Sequence, residues 1–259
     1  MKIKKTPIAL LLTGALGLLF FTACQKDVIG PAGPQGAPGP TYTGSITGFV
    51  SLYDQYGTKL STNVSNIKVS IDNTTTTALT DNMGKYSFLN LPTGSYSITI
   101  IDSAYGTARV QNIGLLTGQN NHDIKLSAIP TFALGSVTAV DTISGGISYV
   151  KVRGTVTADA KGRELAVYFG TTASVSSAPA NYSLLYSKAI NSNLTSFSVL
   201  VPVSDLYGAG LTTGSTAYFA VYPAAVAYAS SSYYEDLSTG KFIYNAVGTS
   251  PMGANVVIP

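Results

Sequence analysis

The chain has 259 residues, 45% hydrophobic and only 10% charged, with 26 Gly, 17 Tyr, one Cys, one His and no Trp. So much apolar content excludes a wholly disordered chain, and a single cysteine excludes a disulfide scaffold. Three of the 15 cationic side chains, Lys2, Lys4 and Lys5, lie in the first five residues, so the remainder balances 12 positive against 12 negative groups. A neutral remainder has no net attraction for phosphate, and no nucleic-acid partner is expected.

The N-terminal segment reads as a targeting element. Residues 1–5 are basic, and residues 8–21 form an apolar run interrupted only by Thr13, Gly14 and Gly17. A run of 14 residues is short of the roughly 20 that a membrane-spanning helix requires, and it matches the apolar region of a signal peptide. It ends in Phe21-Thr22-Ala23-Cys24, which resembles the lipobox of bacterial lipoproteins, although Phe21 stands where that motif usually has Leu. The resemblance implies a signal peptide over 1–23 and acylation of Cys24. Two or three acyl chains give stable anchoring, because each buried CH₂ contributes about 0.8 kcal/mol and one chain is marginal. Gln25 stands where an inner-membrane retention signal would have Asp, and Lys26-Asp27 loosely resembles the short charged tag of surface-exported lipoproteins of some Gram-negative bacteria, so an outer-membrane, surface-exposed location is expected.

Residues 30–41 are four consecutive Gly-X-Y triplets rich in proline, a collagen-like pattern. Four triplets offer little length to offset the entropy of joining three chains, so the region 24–42 reads as a stiff spacer, with a short trimerising stalk as the alternative. In polyproline II, at about 3.1 Å per residue, it would hold the first folded domain roughly 50 Å from the lipid.

From residue 43 the apolar pattern has period two. Ile46, Gly48, Val50 and Leu52 alternate with Thr47, Phe49 and Ser51, and 67–71 alternates in the same way. This spacing predicts half-buried strands. Asp54 to Gly57 and Asp81 to Gly84 carry turn chemistry, and 85–88 and 95–101 read as further strands on either side of a corner at Leu91-Pro92. Tyr86, Phe88, Tyr96 and Ile98 are expected on the inner face. The order Gly48-Phe49-Val50, Thr80-Asp81 with Gly84, Tyr86-Ser87-Phe88, Leu91-Pro92 and Gly94-Ser95-Tyr96 resembles the carboxypeptidase regulatory-like domains over 43–127. That resemblance implies a transthyretin-like β-sandwich of about seven strands that serves binding, spacing or stability and brings no catalytic residues.

Pro130 marks a boundary, and 131–259 shows seven further candidate strands at 132–140, 148–157, 163–169, 182–189, 196–201, 217–223 and 241–247. The segments 164–172 and 211–222 resemble fibronectin type III domains, which implies a second sandwich of fibronectin III or Ig-like type. Tyr168 or Phe169 must then fill the core position that Trp usually takes. The fold class is therefore all-β, with two sandwich domains, 43–127 and 131–259.

Little in the chain points to catalysis. His122 is the only histidine, so no Ser-His-Asp triad or multi-histidine zinc site can form within one chain. The 12 carboxylates are dispersed in turns, and only Glu235-Asp236 is locally dense. No enzyme activity, metal or cofactor is expected. Six aromatic residues fall in 218–234. Tyr218 and Tyr222 are expected to face the core, whereas Tyr228, Tyr233 and Tyr234 read as loop residues that contact a ligand, or else as core and edge filling in a chain without Trp. Asp102-Ser103-Ala104 and Asp141-Thr142-Ile143 resemble the tripeptide that some Gram-negative bacteria O-glycosylate, which makes Ser103 and Thr142 candidate modification sites. The sequence thus reads as a lipid-anchored envelope protein that binds a glycan, matrix or protein partner. The alternatives are a structural spacer or assembly subunit, and an accessory lipoprotein for polysaccharide capture.

Overall fold

The computed structural model describes residue 39, residues 42–226 and residues 233–259; the expected signal peptide, Cys24, nearly all of the expected spacer and Tyr228 lie outside the described residues. Thr41–Pro259 forms one compact unit with two large, separate apolar cores.

The first core is enclosed by eight strands: β1 (Thr43–Tyr53), β2 (Lys68–Ile71), β3 (Thr77–Leu79), β4 (Lys85–Pro92), β5 (Gly94–Asp102), β6 (Gly106–Leu115), β7 (Gly118–Asn121) and β8 (Ile124–Ser127). β1 pairs antiparallel with β4 and parallel with β7 and then β8; the facing sheet has the order β3-β2-β5-β6. Alternation places Ile46, Val50 and Leu52 of β1 inside, against Val69, Ile71, Ile98 and Ile100, and leaves Phe49 facing solvent. Tyr86, Phe88 and Ile98 are buried as expected, and Tyr96 is half-buried beyond an irregularity in the β5–β6 register. The corner expected at 89–92 is not a break: β4 runs through it, and a bulge in the β1 register together with positive φ at Asn90 absorbs the irregularity. The chain changes sheets just beyond, at Thr93.

The turns follow their aspartates. Oδ1 of Asp54 accepts the N–H groups of Tyr56 and Thr58, and Oδ1 of Asp81 accepts those of Met83 and Lys85. Gly57 and Gly84 supply the positive φ that each turn requires. Asp102, Asp159 and Asp236 also accept a backbone N–H two residues on, so these scattered acids act as turn formers.

The second core lies between the sheet β13-β10-β9 and the sheet β12-β11-β14-β17. Its elements are β9 (Leu134–Ser144), β10 (Ile147–Val156), β11 (Arg163–Gly170), β12 (Leu184–Ile190), β13 (Ser196–Pro202), helix α1 (Val203–Gly208), β14 (Thr216–Ala224), β15 (Tyr233–Asp236), β16 (Lys241–Tyr244) and β17 (Met252–Val257). All eight residues of β11 are buried, because both of its faces are covered. Leu165, Val167 and Phe169 enter the main core, while Ala166 and Tyr168 face a second cluster with Tyr182, Tyr222 and Tyr244. The chain is thus all-β and of sandwich type. The expected strand 241–247 is shorter than its sequence suggested: β16 pairs with β15 as a hairpin, and beyond it Val247 makes an isolated bridge to Ala224.

Backbone and side-chain hydrogen bonds both join the two sandwiches and the linker between them. Thr107 N–H donates to Asn245 O at 2.8 Å, Ile129 N–H to Ala104 O at 2.8 Å, and Val226 N–H to Gln55 O at 3.1 Å. Gln55 also accepts Thr131 N–H with its side chain at 2.8 Å, and Gln111 donates to Glu235 O. The Tyr56 hydroxyl donates to Asp159 Oδ2 at 2.5 Å, and Lys161 pairs with Asp54 at 3.4 Å while lying 4.7 Å over the Tyr56 ring.

Candidate functional site

The hairpin β15–β16 carries two of the three tyrosines singled out from the sequence. Tyr233 and Tyr234 lie on a strand instead of a loop: Leu237, Ser238, Thr239 and Gly240 close a tight connection, and Gly240 takes positive φ. Tyr233 is 48% exposed, and its ring meets that of Phe242, 50% exposed, edge-on at 5.2 Å. Phe242 escapes a reading of the sequence that looks for tyrosines. The alternation of Lys241, Phe242, Ile243 and Tyr244 after a Thr-Gly turn is the signal that would have found it.

What holds this exposed pair in place is a buried aromatic floor. Tyr244 packs 6.1 Å from Tyr233, and its hydroxyl donates to Glu164 Oε1 at 3.0 Å. Tyr168 contacts Tyr182 at 5.0 Å and Tyr222 at 5.4 Å, both edge-on. The Tyr182 hydroxyl donates to Phe242 O at 2.6 Å, and Lys241 Nζ donates to Pro179 O at 2.7 Å and to Tyr182 O while lying over the Tyr182 ring. Tyr222 therefore faces this outer cluster, not the main core; on β14 the main core takes Ala217, Phe219 and Val221, and Tyr218 is only half-buried. The expectation that Tyr218 and Tyr222 point into a core holds for Tyr222, buried beside Ala220 in this second cluster, and only in part for Tyr218; because β14 buries both of its faces, its odd and even positions belong to different clusters.

Burial pushes the hydroxyl of Tyr182 up to about 12, with a further contribution from Asp236. It also raises those of Tyr168 and Tyr244, helped by neighbouring tyrosines in the first case and by Glu164 in the second. These phenols stay neutral at physiological pH; Tyr182 and Tyr244 serve as donors and Tyr168 as apolar surface, none as a base. Tyr234, half-buried, turns toward the first sandwich, where Arg109 pairs with Asp72 at 2.7 Å; burial raises its hydroxyl and Arg109 partly offsets this.

Ser103 is exposed in the turn between β5 and β6, where Asp102 accepts the N–H groups of Ala104 and Tyr105. Thr142 is half-buried on β9, opposite Tyr149 of β10. His122 acts through its backbone: its N–H donates to Thr47 O at 2.8 Å and its carbonyl accepts the Tyr86 hydroxyl at 2.6 Å. Among the described residues no three His, Cys, Asp or Glu side chains gather as a metal site.

Eight strands in two facing sheets, with Tyr86 and Phe88 at their centre, invite comparison with known domains. Residues 45–127 match the carboxypeptidase regulatory-like domain. The match runs from β1 to β8, and the hairpin and its aromatic floor lie outside it. No curated protein sequence matches the chain. Solved structures share its all-β character at low similarity. One is a protein of Bacteroides uniformis provisionally named as carbohydrate-binding, 15% identical over 83% of this chain and 100% of that one, with a TM-score of 0.31. A second, a type II cohesin–X–dockerin complex of Acetivibrio cellulolyticus, is 20% identical over 32% of this chain and 57% of that one, with a TM-score of 0.28. A third, a DUF3823 family protein of Bacteroides uniformis, is 12% identical over 85% and 100%, also at 0.28. Scores this low carry no argument about what the chain binds.

Proposed function

We propose that the chain is a non-catalytic lipoprotein of the cell envelope, anchored through Cys24 at the outer-membrane surface, that binds a glycan on the aromatic ridge of the β15–β16 hairpin. The observation that supports this reading is the Tyr233–Phe242 pair, half exposed yet held by a buried floor. Aromatic rings offer apolar faces to the C–H surface of a sugar, and rings fixed before binding lose little entropy when the ligand arrives. The balance of 12 cations and 12 anions after residue 23 gives no long-range attraction for a charged partner, which suits a neutral glycan. A glycan array probed with the full chain tests it. Tyr233→Ala and Phe242→Ala should each weaken binding tenfold or more, while circular dichroism and the melting transition stay near those of the parent.

A second reading, a structural spacer or assembly subunit, is favoured by the joint between the sandwiches. Backbone hydrogen bonds across it make the pair stiff. That role predicts stable self-association or a protein partner, and no saturable glycan affinity.

A further inference from the structure

A cleft of about 480 Å³ opens where the two sandwiches meet, between Tyr56 and Thr58 of the first and Lys161, Arg163, Asn191 and Ser192 of the second. We propose that this cleft is a binding site, separate from the hairpin, for a single neutral saccharide residue. Its size falls within the range of small-ligand sites, which occur preferentially where domains meet. Its walls are fixed before any ligand enters: Tyr56 is held by Asp159, and Lys161 is held by Asp54 and by the Tyr56 ring.

One wall of the cleft is braced by Arg163, only 2% exposed. Its Nη1 donates to Thr157 O and its Nη2 to Leu194 O at 2.5 Å, but its buried Nε has no acceptor among the described residues. That nitrogen is closed to solvent, so a ligand's oxygens meet the rim groups, and Arg163 serves the cleft by tying its wall to the carbonyls of Thr157 and Leu194.

Charge selects the class of ligand. Around the cleft the carboxylates of Asp54, Asp159 and Glu164 outnumber the cations of Lys161 and Arg163, so an added anion is disfavoured. Thr58, Asn191 and Ser192, all exposed at the rim, each both donate and accept, which matches hydroxyl groups that do the same. Ile190 and Val226 add apolar wall for the C–H face of a sugar ring. A neutral polyhydroxylated ring meets all these demands together.

The test is NMR titration of the full chain with glucose, galactose and mannose, and with glucuronate as the charged comparison. A neutral sugar should bind saturably and shift the Ile190 and Val226 methyl signals. The rim variant Asn191→Ala/Ser192→Ala should weaken it at least tenfold, and Tyr233→Ala should leave it unchanged. Binding lost in Tyr233→Ala but kept in the rim variant would place the sugar on the hairpin and overturn this site while leaving the hairpin reading intact. Binding of glucuronate alone, or of none of the four, would overturn it as well.

Discussion

Gly106 packs its α-carbon against the carbonyl oxygen of Asn245, at the point where the first sandwich touches the second. Gly106 sits at φ +72°, a β-carbon added there would collide with that oxygen, and the next residue, Thr107, donates its N–H to the same oxygen. One glycine thus meets two demands, left-handed backbone and close approach. Gly106→Ala should cost about 1–3 kcal/mol in urea unfolding. Gly240→Ala is the comparison, because Gly240 also has positive φ but nothing lies near its missing side chain. It should cost only the conformational part, about 1 kcal/mol. Equal losses at the two sites would mean that the contact with Asn245 contributes nothing.

Two buried tyrosines of the aromatic floor should respond in opposite ways to loss of the hydroxyl. The Tyr168 hydroxyl is buried without a partner among the described residues, whereas that of Tyr244 donates to Glu164. Tyr168→Phe removes an unsatisfied polar atom and keeps the ring contacts, so its stability should equal or exceed that of the parent. Tyr244→Phe takes a donor from a buried carboxylate and should cost about 1–3 kcal/mol. Thermal melts of the two variants side by side check the contrast.

How much of this was legible in the sequence depends on which atoms carry the structure. β1, β2, β10, β11 and β13 announce themselves, because one face of each, or both in β11, is apolar side chain in a regular order. The Asp54 and Asp81 turns announce themselves through the aspartate and glycine they require. β17, rich in small residues, and β15, where Tyr233-Tyr234 is followed by two acids, have no such period, and six-residue α1 is too short to show one. The joint was not legible, since Asn245, Ala104 and Gln55 act there through carbonyl oxygens, and the side chains that cross it, Tyr56 to Asp159 and Lys161 to Asp54, lie about a hundred residues apart with no local pattern to link them. The tyrosine excess was readable, but not its division: strand parity sends Tyr222 to the floor, and only the hairpin register exposes Tyr233 beside Phe242.

Stability should form a plateau from about pH 5 to pH 10, with different groups setting its two ends. On the acid side, burial pushes Asp54 up, but the N–H groups of Thr58 and Tyr56 and the Lys161 ammonium outweigh it and hold the carboxyl below its ordinary value; the Tyr56 hydroxyl does the same for Asp159. A carboxyl depressed in the folded state contributes stability above its unfolded pKa near 4 and loses it as the pH falls through the folded value. On the alkaline side, burial raises Tyr86, Tyr168, Tyr182, Tyr186 and Tyr244. A phenol raised in the folded state keeps its contribution below about pH 10 and loses it as the pH climbs toward the folded value, about 12 for Tyr182. Urea midpoints measured across the range, with tyrosinate absorbance as a second signal, should fall together above pH 10. A midpoint that drifts between pH 6 and 8 would contradict this, because neither set of groups titrates there.

The proposed lipid attachment at Cys24 can be tested apart from every property of the sandwiches, because the residues that build the two cores lie at Ile46 and beyond. Metabolic labelling with palmitate should mark the parent protein and leave Cys24→Ala unlabelled, since the thiol is the chain's one site for a thioether-linked lipid. Cleavage at a lipobox follows acylation, so the variant should also keep the apolar run 8–21 and migrate as the larger form. Protease added to intact cells then tests the proposed location at the outer-membrane surface. Digestion of the parent in intact cells would place the aromatic hairpin where external glycans are met. Protection until lysis would place it in the periplasm, where a stiff pair of sandwiches on a proline-rich spacer is better suited to spanning between envelope components than to capturing ligands from outside.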